Sequence, residues 1–123
     1  MVKRPLVAVV DDDQSVRESL PDLLRSFGFD VRAFSSAEAF LASDSHEQTE
    51  CLILDVAMPG MTGLDLQQEL NRRQQRFPIV FITAQSGEAA RAQALASGAV
   101  ACLFKPFDEA SILEAVNVAL KRG

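Results

Sequence analysis

Three carboxylates, one hydroxyl and one ammonium of this chain each stand at or just after the end of a short apolar run. Carboxylate oxygens are hard ligands suited to a divalent cation, and an ammonium group offsets negative charge beside them. Whether these groups act together depends on whether the fold brings the ends of the apolar runs to one place. The five residues are Asp11, Asp12, Asp55, Thr83 and Lys105.

The apolar runs alternate with longer amphipathic segments. The runs are short, rich in Val, Ile and Phe, and bounded by turn formers, which is typical of buried strands. Between them, apolar residues recur at helical spacing and predict five helices. Strand–helix alternation implies a parallel sheet with helices on both faces. We therefore predict one α/β domain over residues 1–123, a flavodoxin-like doubly wound (βα)5 sandwich with strand order 2-1-3-4-5. The predicted strands are 6–10, 31–34, 51–55, 79–83 and 100–104.

This topology predicts that the polar groups converge. Ligands of a doubly wound sheet bind outside the carboxyl ends of its strands. In the order 2-1-3-4-5 the first and third strands are neighbours, so Asp11, Asp12 and Asp55 should lie together. Like charges at that distance need compensation. Oxygen ligands without a nearby Cys or His favour Mg²⁺, with Mn²⁺ as the alternative.

A simpler interpretation exists for each residue taken alone. Carboxylates favour helix N-termini, so the acidic run could merely begin a helix, and we give Asp13 that role only. Thr83 could be an ordinary strand-end hydroxyl, and Lys105 a surface lysine. These interpretations leave unexplained why Asp55 and Lys105 share an edge with Asp11.

Composition narrows the functional classes. The net charge of −5 argues against nucleic-acid contacts within this chain, since phosphate binding requires a basic face. No apolar stretch is long enough to span a membrane. The first apolar run is cut short by Asp11, which excludes a signal peptide. Cys51 and Cys102 lie in apolar runs and are predicted to be unpaired, as in a reducing cytoplasm.

Four fragments together resemble the receiver domain of two-component response regulators. The first is VVDDD (9–13), and the other three are close to the FixJ-like subfamily. Their order and spacing fit the family along the whole chain. The other three are LILDVAMPGMTGLDL (52–66), IVFITA (79–84) and LFKPF (103–107).

The resemblance implies a metal-assisted phosphoacceptor. Asp55 would accept the phosphoryl group and also ligate the metal. Asp12 would ligate the metal directly, and Asp11 would act mainly through metal-bound water. The backbone carbonyl of Ala57 would be a further protein ligand. Position 57 is commonly polar or larger in the family, so its Ala bears on the lifetime of the phosphorylated state.

The resemblance also implies a switch. Thr83 would hydrogen-bond a phosphoryl oxygen, Lys105 would pair with the phosphoryl group, and the peptide bond before Pro106 would be cis. An aromatic residue usually stands three positions before the lysine, but this chain has Cys102. We therefore predict that Phe104, beside the Ala-rich fourth helix, contributes an apolar patch to a phosphorylation-dependent homodimer.

The implied function is phosphoryl transfer from a sensor histidine kinase or phosphotransfer protein to Asp55, followed by autodephosphorylation. Such a domain acts only on its own side chain and is not a conventional enzyme. One alternative is an unphosphorylated pseudo-receiver that serves as an interaction module. Another is a haloacid-dehalogenase-like phosphatase, whose paired aspartates Asp11 and Asp13 mimic. FixJ-like chains commonly carry a helix-turn-helix output domain, which this sequence does not encode.

Overall fold

The computed structural model describes residues 4–44, 46–75, 77–84 and 88–122, except for the side chains of residues 46 and 122. Within these ranges every predicted strand is present. The second strand begins at Asp30 and the fifth at Ala101, each one residue from the predicted start. The strands are β1 (Leu6–Val10), β2 (Asp30–Phe34), β3 (Cys51–Asp55), β4 (Ile79–Thr83) and β5 (Ala101–Phe104).

Helices follow the strands in alternation, as predicted. A short 3₁₀ helix, His46–Gln48, lies between the second helix and β3. Among the described residues, no helix combines the length and apolar character needed to cross a membrane. The helices are α1 (Gln14–Ser26), α2 (Ala37–Ala42), α3 (Gly63–Arg72), α4 (Glu88–Ala96) and α5 (Glu109–Arg122).

The five strands form one parallel sheet in the order β2-β1-β3-β4-β5. This order confirms the predicted doubly wound fold. The strands β1, β3 and β4 are buried along almost their whole length, because helices cover both faces of the sheet. The carboxyl ends of all five strands meet at one edge, where the polar residues were predicted to converge.

Two apolar clusters fill the space between the sheet and its helices. One packs α2, α3 and α4 against one face and includes Phe40, Leu54 and Phe81. The other packs α1 and α5 against the opposite face and includes Leu24 and Ile112. Successive strand residues point to opposite faces, so each strand contributes to both clusters.

Hydrogen bonds fix where the helices next to the acidic edge begin. The Asp13 carboxylate accepts from the Ser15 N–H at 2.9 Å and caps α1, as its predicted helix-start role required. At α3, Thr62 and Asp65 form a reciprocal capping box. These caps fix the first turn of α1, which begins four residues after β1 ends, and the first turn of α3, which follows β3 after the loop 56–62.

Candidate functional site

Three carboxylates meet at the carboxyl edge of the sheet. Val10 pairs with Leu54 in the β1–β3 ladder, so Asp11 and Asp55 stand at the same level on neighbouring strands. Asp11, Asp12 and Asp55 each direct an oxygen to a cluster in which these atoms lie within 4.8 Å of one another. The sheet order therefore brings together the three acidic residues that the sequence separates.

Lys105 completes this cluster from the end of β5. Its Nζ lies 2.9 Å from Asp11 Oδ2 and 3.6 Å from Asp55 Oδ1. The Lys105 N–H donates to the carbonyl of Thr83 at 2.7 Å, and the Lys105–Pro106 peptide bond is cis. The lysine that looked like a surface residue by itself is thus an ion-pair partner of two buried carboxylates.

The crowding of these charges changes the ionisation of Asp55. Burial, the charge of Asp11 and a hydrogen bond with Asp11 together raise the pKa of Asp55 from 3.8 to about 7, although Lys105 opposes the rise. Although burial lowers it, the pKa of Lys105 is raised overall by its hydrogen bond to Asp11 and by the Asp11 and Asp55 charges. The site therefore disfavours an ionised Asp55 unless more positive charge is present.

Asp11 and Asp12 occupy different environments. Asp11 is fully buried, its Oδ1 accepts from the Asp13 N–H at 2.9 Å, and its Oδ2 faces Lys105. The Asp11 carbonyl also accepts from the Arg17 side chain at 3.0 Å. Asp12 is exposed at the same edge. An exposed carboxylate is better placed to ligate an ion from solvent than one already held by two partners.

The donor set fits a hard divalent cation. All three clustered groups are carboxylates, and the described residues bring no Cys or His into the cluster. Such ligands suit Mg²⁺ or Mn²⁺ rather than a softer metal. Ala57, whose backbone carbonyl was the other predicted ligand, is exposed two residues after Asp55. An ion there would oppose the burial and the Asp11 charge that raise the pKa of Asp55.

Thr83, Cys102 and Phe104 extend from the site towards α4. Asp55 pairs with Ile82, so the buried Thr83 lies one residue further along the neighbouring strand. Cys102 is buried in the apolar cluster on the α4 side of the sheet, and Phe104 lies beneath Arg91 of α4. The predicted switch residues are therefore contiguous with the site through β4 and β5. Cys51 and Cys102 are both unpaired, as predicted.

The family model for the response regulator receiver domain matches residues 7–117. The chain belongs to this family. Membership decides against the haloacid-dehalogenase-like alternative, whose second aspartate would be Asp13, the residue that caps α1.

Curated relatives include proteins from Bradyrhizobium and Azorhizobium. Nodulation protein W of Bradyrhizobium diazoefficiens is 44% identical over 119 residues, covering 97% of this chain and 52% of that protein. The transcriptional regulatory protein FixJ of Azorhizobium caulinodans is 41% identical over 117 residues, covering 95% of this chain and 56% of that protein. This chain thus spans about half the length of the curated relatives it matches.

Solved structures show the same fold. The crystal structure of FixJ-N superposes with a TM-score of 0.91 at 34% identity, covering 99% of this chain and 98% of that one. The response regulator StyR has a TM-score of 0.90 at 46% identity, covering 98% of this chain and 61% of that one. The predicted resemblance to FixJ-like receiver domains is confirmed.

Sequence reasoning missed three residues around the site. Gly63, the first residue of α3, packs on the main chain of Asp55. Gln67 is buried and donates to the Ala94 carbonyl of α4 at 3.2 Å. Arg91 donates to the Cys102 carbonyl at 3.5 Å. A buried position for Gln67, one turn after Gly63, could have been inferred from its place on the apolar face of α3.

Proposed function

We propose that Asp55 accepts a phosphoryl group from the phosphohistidine of a sensor histidine kinase or phosphotransfer protein. The domain then hydrolyses its own acyl phosphate. The observation that carries this proposal is the position of Lys105 beside both Asp11 and Asp55 at the carboxyl edge of the sheet. That arrangement sets a nucleophile next to fixed positive charge, as acceptance of a phosphoryl group requires.

The proposed phosphoryl transfer is an in-line displacement at phosphorus. A carboxylate oxygen of Asp55 forms the new O–P bond as the N–P bond of the phosphohistidine breaks and the imidazole departs. Lys105 pairs with a phosphoryl oxygen, and the Thr83 hydroxyl donates to another. Water later attacks the same phosphorus, which releases inorganic phosphate and restores the Asp55 carboxylate.

The raised pKa of Asp55 explains why a cation belongs to this function. At neutral pH a carboxyl group with a pKa of about 7 is partly protonated, and its protonated form is a poor nucleophile. Asp12, Asp55 and the Ala57 carbonyl would hold Mg²⁺ or Mn²⁺ directly, and Asp11 would act mainly through metal-bound water. Such an ion would favour the ionised carboxylate and neutralise charge on the phosphoryl oxygens.

The test uses acetyl phosphate, which replaces the protein donor. With Mg²⁺, the intact mass of the chain should rise by one phosphoryl group, and EDTA should prevent the rise. Asp55→Asn should remain unlabelled, whereas Asp13→Asn, a change in the α1 cap, should be labelled. Undiminished labelling of Asp55→Asn would contradict the proposal.

The pseudo-receiver alternative makes the opposite prediction. All the acidic, Thr and Lys positions are filled here, which favours a chemically competent site. A Mg²⁺ titration followed by amide NMR should shift resonances next to Asp55 and Asp12. A pseudo-receiver would show neither those shifts nor acetyl phosphate labelling, and its role would be protein binding alone.

The cellular compartment and the kind of partner follow from the same proposal. A sensor kinase's phosphotransfer to this domain would take place in the cytoplasm. The net charge of −5 favours a protein partner over nucleic acid for this chain. Purified histidine kinase from the same genome, loaded with labelled phosphate, should pass its label to the chain within seconds to minutes. Transfer to Asp55→Asn would contradict the assignment.

We also propose that phosphorylation promotes a homodimer through the α4–β5 surface. Phe104 lies 5.7 Å from the Arg91 guanidinium, measured to the ring centroid, and Leu95 of α4 is 37% exposed. Movement of Arg91 would uncover the Phe104 ring on the surface that also carries α4. Sedimentation with beryllofluoride, a phosphoryl mimic, should show dimers of the wild type and fewer of Phe104→Ala. A wild type that stays monomeric would contradict the proposal.

A further inference from the structure

The first residue of α3 lies directly against the main chain of Asp55. A Cβ atom at Gly63 would overlap the Asp55 carbonyl oxygen and would lie 3.0 Å from both the Asp55 carbonyl carbon and Val56 Cα. The Gly63 N–H donates to the Val56 carbonyl at 2.9 Å. The three nearest atoms all belong to the backbone, so no side-chain rotation can relieve these contacts.

Glycine is needed at position 63 only because the first turn of α3 lies so close to the backbone of Asp55 and Val56. The described glycines with left-handed backbone conformations are Gly28, Gly60 and Gly98, and Gly63 is not among them. Gly63 is the first helical residue of α3, and within helices alanine has a higher intrinsic propensity than glycine. A substitution at position 63 therefore introduces the steric conflict without a penalty from the backbone angles.

Asp55 is held from two sides. On one side the ladder to β4 continues past it, because the Val56 N–H donates to the Ile82 carbonyl at 3.0 Å. On the other side Gly63 seats the first turn of α3, which the Thr62–Asp65 capping box fixes. A Cβ at position 63 must displace either α3 or the Asp55 backbone.

We propose that Gly63 is a positioning residue for the phosphoacceptor. Its missing side chain lets α3 set where the Asp55 carboxylate meets Lys105 and Asp11. This inference rests on the proposed function, since it assigns Gly63 a role in phosphoryl transfer. It predicts that any side chain at position 63 shifts the nucleophile, and that Gly63→Ala and Gly63→Ser are equally defective because both carry the Cβ.

Gly28 provides the matched control. Its φ of +94° strains any alanine placed there, but no atom lies within 4 Å of the added Cβ. It precedes β2, at the opposite edge of the sheet from Asp55. Gly28→Ala should therefore lower the melting temperature without touching the site, which separates a loss of stability from a loss of positioning.

The experiment measures the maximal labelling rate with saturating acetyl phosphate and Mg²⁺, together with the melting temperature of each variant. Misplacing a reacting group by about 1 Å can cost about 10²-fold in rate, and we expect a loss of that order for Gly63→Ala. The loss should appear in the maximal rate rather than in the concentration of acetyl phosphate needed for half of it. Gly28→Ala should keep the wild-type rate.

Crystal structures of the wild type, of Gly63→Ala and of Gly28→Ala give a second readout that needs no phosphorylation. The Asp55 main chain should be displaced relative to Lys105 in Gly63→Ala and unmoved in Gly28→Ala. An unmoved Asp55, a wild-type rate in Gly63→Ala, or a Gly63→Ala chain that fails to fold while Gly28→Ala folds would each overturn the positioning role. If the wild type is never labelled, the proposed function fails, and the displacement of Asp55 still decides the role of Gly63.

Discussion

The acidic edge and the α4–β5 surface are built in opposite ways. At the acidic edge, Asp11 and Asp55 are almost completely buried and stand on strands at the centre of the sheet. Helix α4 instead buries only Ala94 along its length, and β5 is an outer strand. Much of what holds α4 is polar: Gln67 donates to its backbone, and its Arg91 reaches β5.

This difference indicates where a chemical change at the site can produce movement. Segments with little buried apolar surface open at lower free energy than the core does. One hydrogen bond from Thr83 contributes about 0.5–1.5 kcal/mol, whereas inverting a 1:99 population requires about 5.5 kcal/mol. If phosphorylation switches the domain as proposed, the Thr83 hydrogen bond alone is too weak, and contacts of Lys105, loop reordering or dimer burial would have to supply the rest. The weak hold on α4 lowers the free-energy cost of its movement.

The largest effect we expect is on metal binding at the acidic edge. Even partners in the outer shell of a metal site commonly contribute 10–100-fold in affinity, so removing a direct ligand should cost at least about 100-fold. Asp12→Ala should lose that much Mg²⁺ affinity by isothermal titration. Asp13→Ala removes the α1 cap and should retain most of it. Equal losses would refute the different roles of the two residues.

The next effect is a pH-dependent stability that belongs to the acidic edge. Folding raises the pKa of Asp55 from 3.8 to about 7, so the folded state favours the protonated form. Its contribution to stability is present below about pH 4 and is lost as the pH rises through about 7. Asp11 and Lys105 are charged groups that face the Asp55 carboxyl. Both are unchanged in the control variant, Asp55→Asn.

Asp55→Asn, which stays neutral, serves as that control. In EDTA, the melting temperature of Asp55→Asn should match that of the wild type near pH 4 and exceed it by several degrees at pH 8. Adding Mg²⁺ at pH 8 should stabilise the wild type more than the variant. Parallel melting curves across the pH range would show that the Asp55 environment is not the cause.

A smaller effect tests how α4 is held. Arg91 contributes a contact over the Phe104 ring and a long hydrogen bond to Cys102, together worth about 1–2 kcal/mol. Arg91→Ala should therefore speed hydrogen exchange of the α4 amides about tenfold, with α5 unchanged. Arg73→Ala, which removes an exposed ion pair with Glu69 of α3, is the control. If hydrogen exchange of the α4 amides is unchanged in Arg91→Ala, contacts other than those of Arg91 hold α4.

The sequence predicted what depends on local pattern and on topology. Strand runs, helix spacing and their alternation predicted a parallel sheet with helices on both faces. The flavodoxin-like strand order then predicted the meeting of Asp11 with Asp55. The earlier start of β2 reflects hydrogen bonding rather than hydropathy, because the Asp30 N–H donates to the Pro5 carbonyl and Asp30 pairs with Leu6 of β1.

The missed features depend on how elements pack, which periodicity does not encode. Gly63 has an ordinary place at a helix start, and only the approach of α3 to β3 makes a Cβ impossible there. Arg91 gave no signal within the Ala-rich segment, because its partners lie on β5. The shift in the pKa of Asp55 likewise needs the burial that only the folded chain supplies.

The central claim is that Asp55, among the three clustered carboxylates, carries the phosphoryl group. Borohydride reduces an acyl phosphate of aspartate to homoserine, so treatment of the labelled chain followed by peptide mapping identifies the modified position. We expect homoserine at position 55, and its formation should require both Mg²⁺ and acetyl phosphate. Homoserine at position 11 or 12, or none in a chain whose mass shows the phosphoryl group, would contradict it.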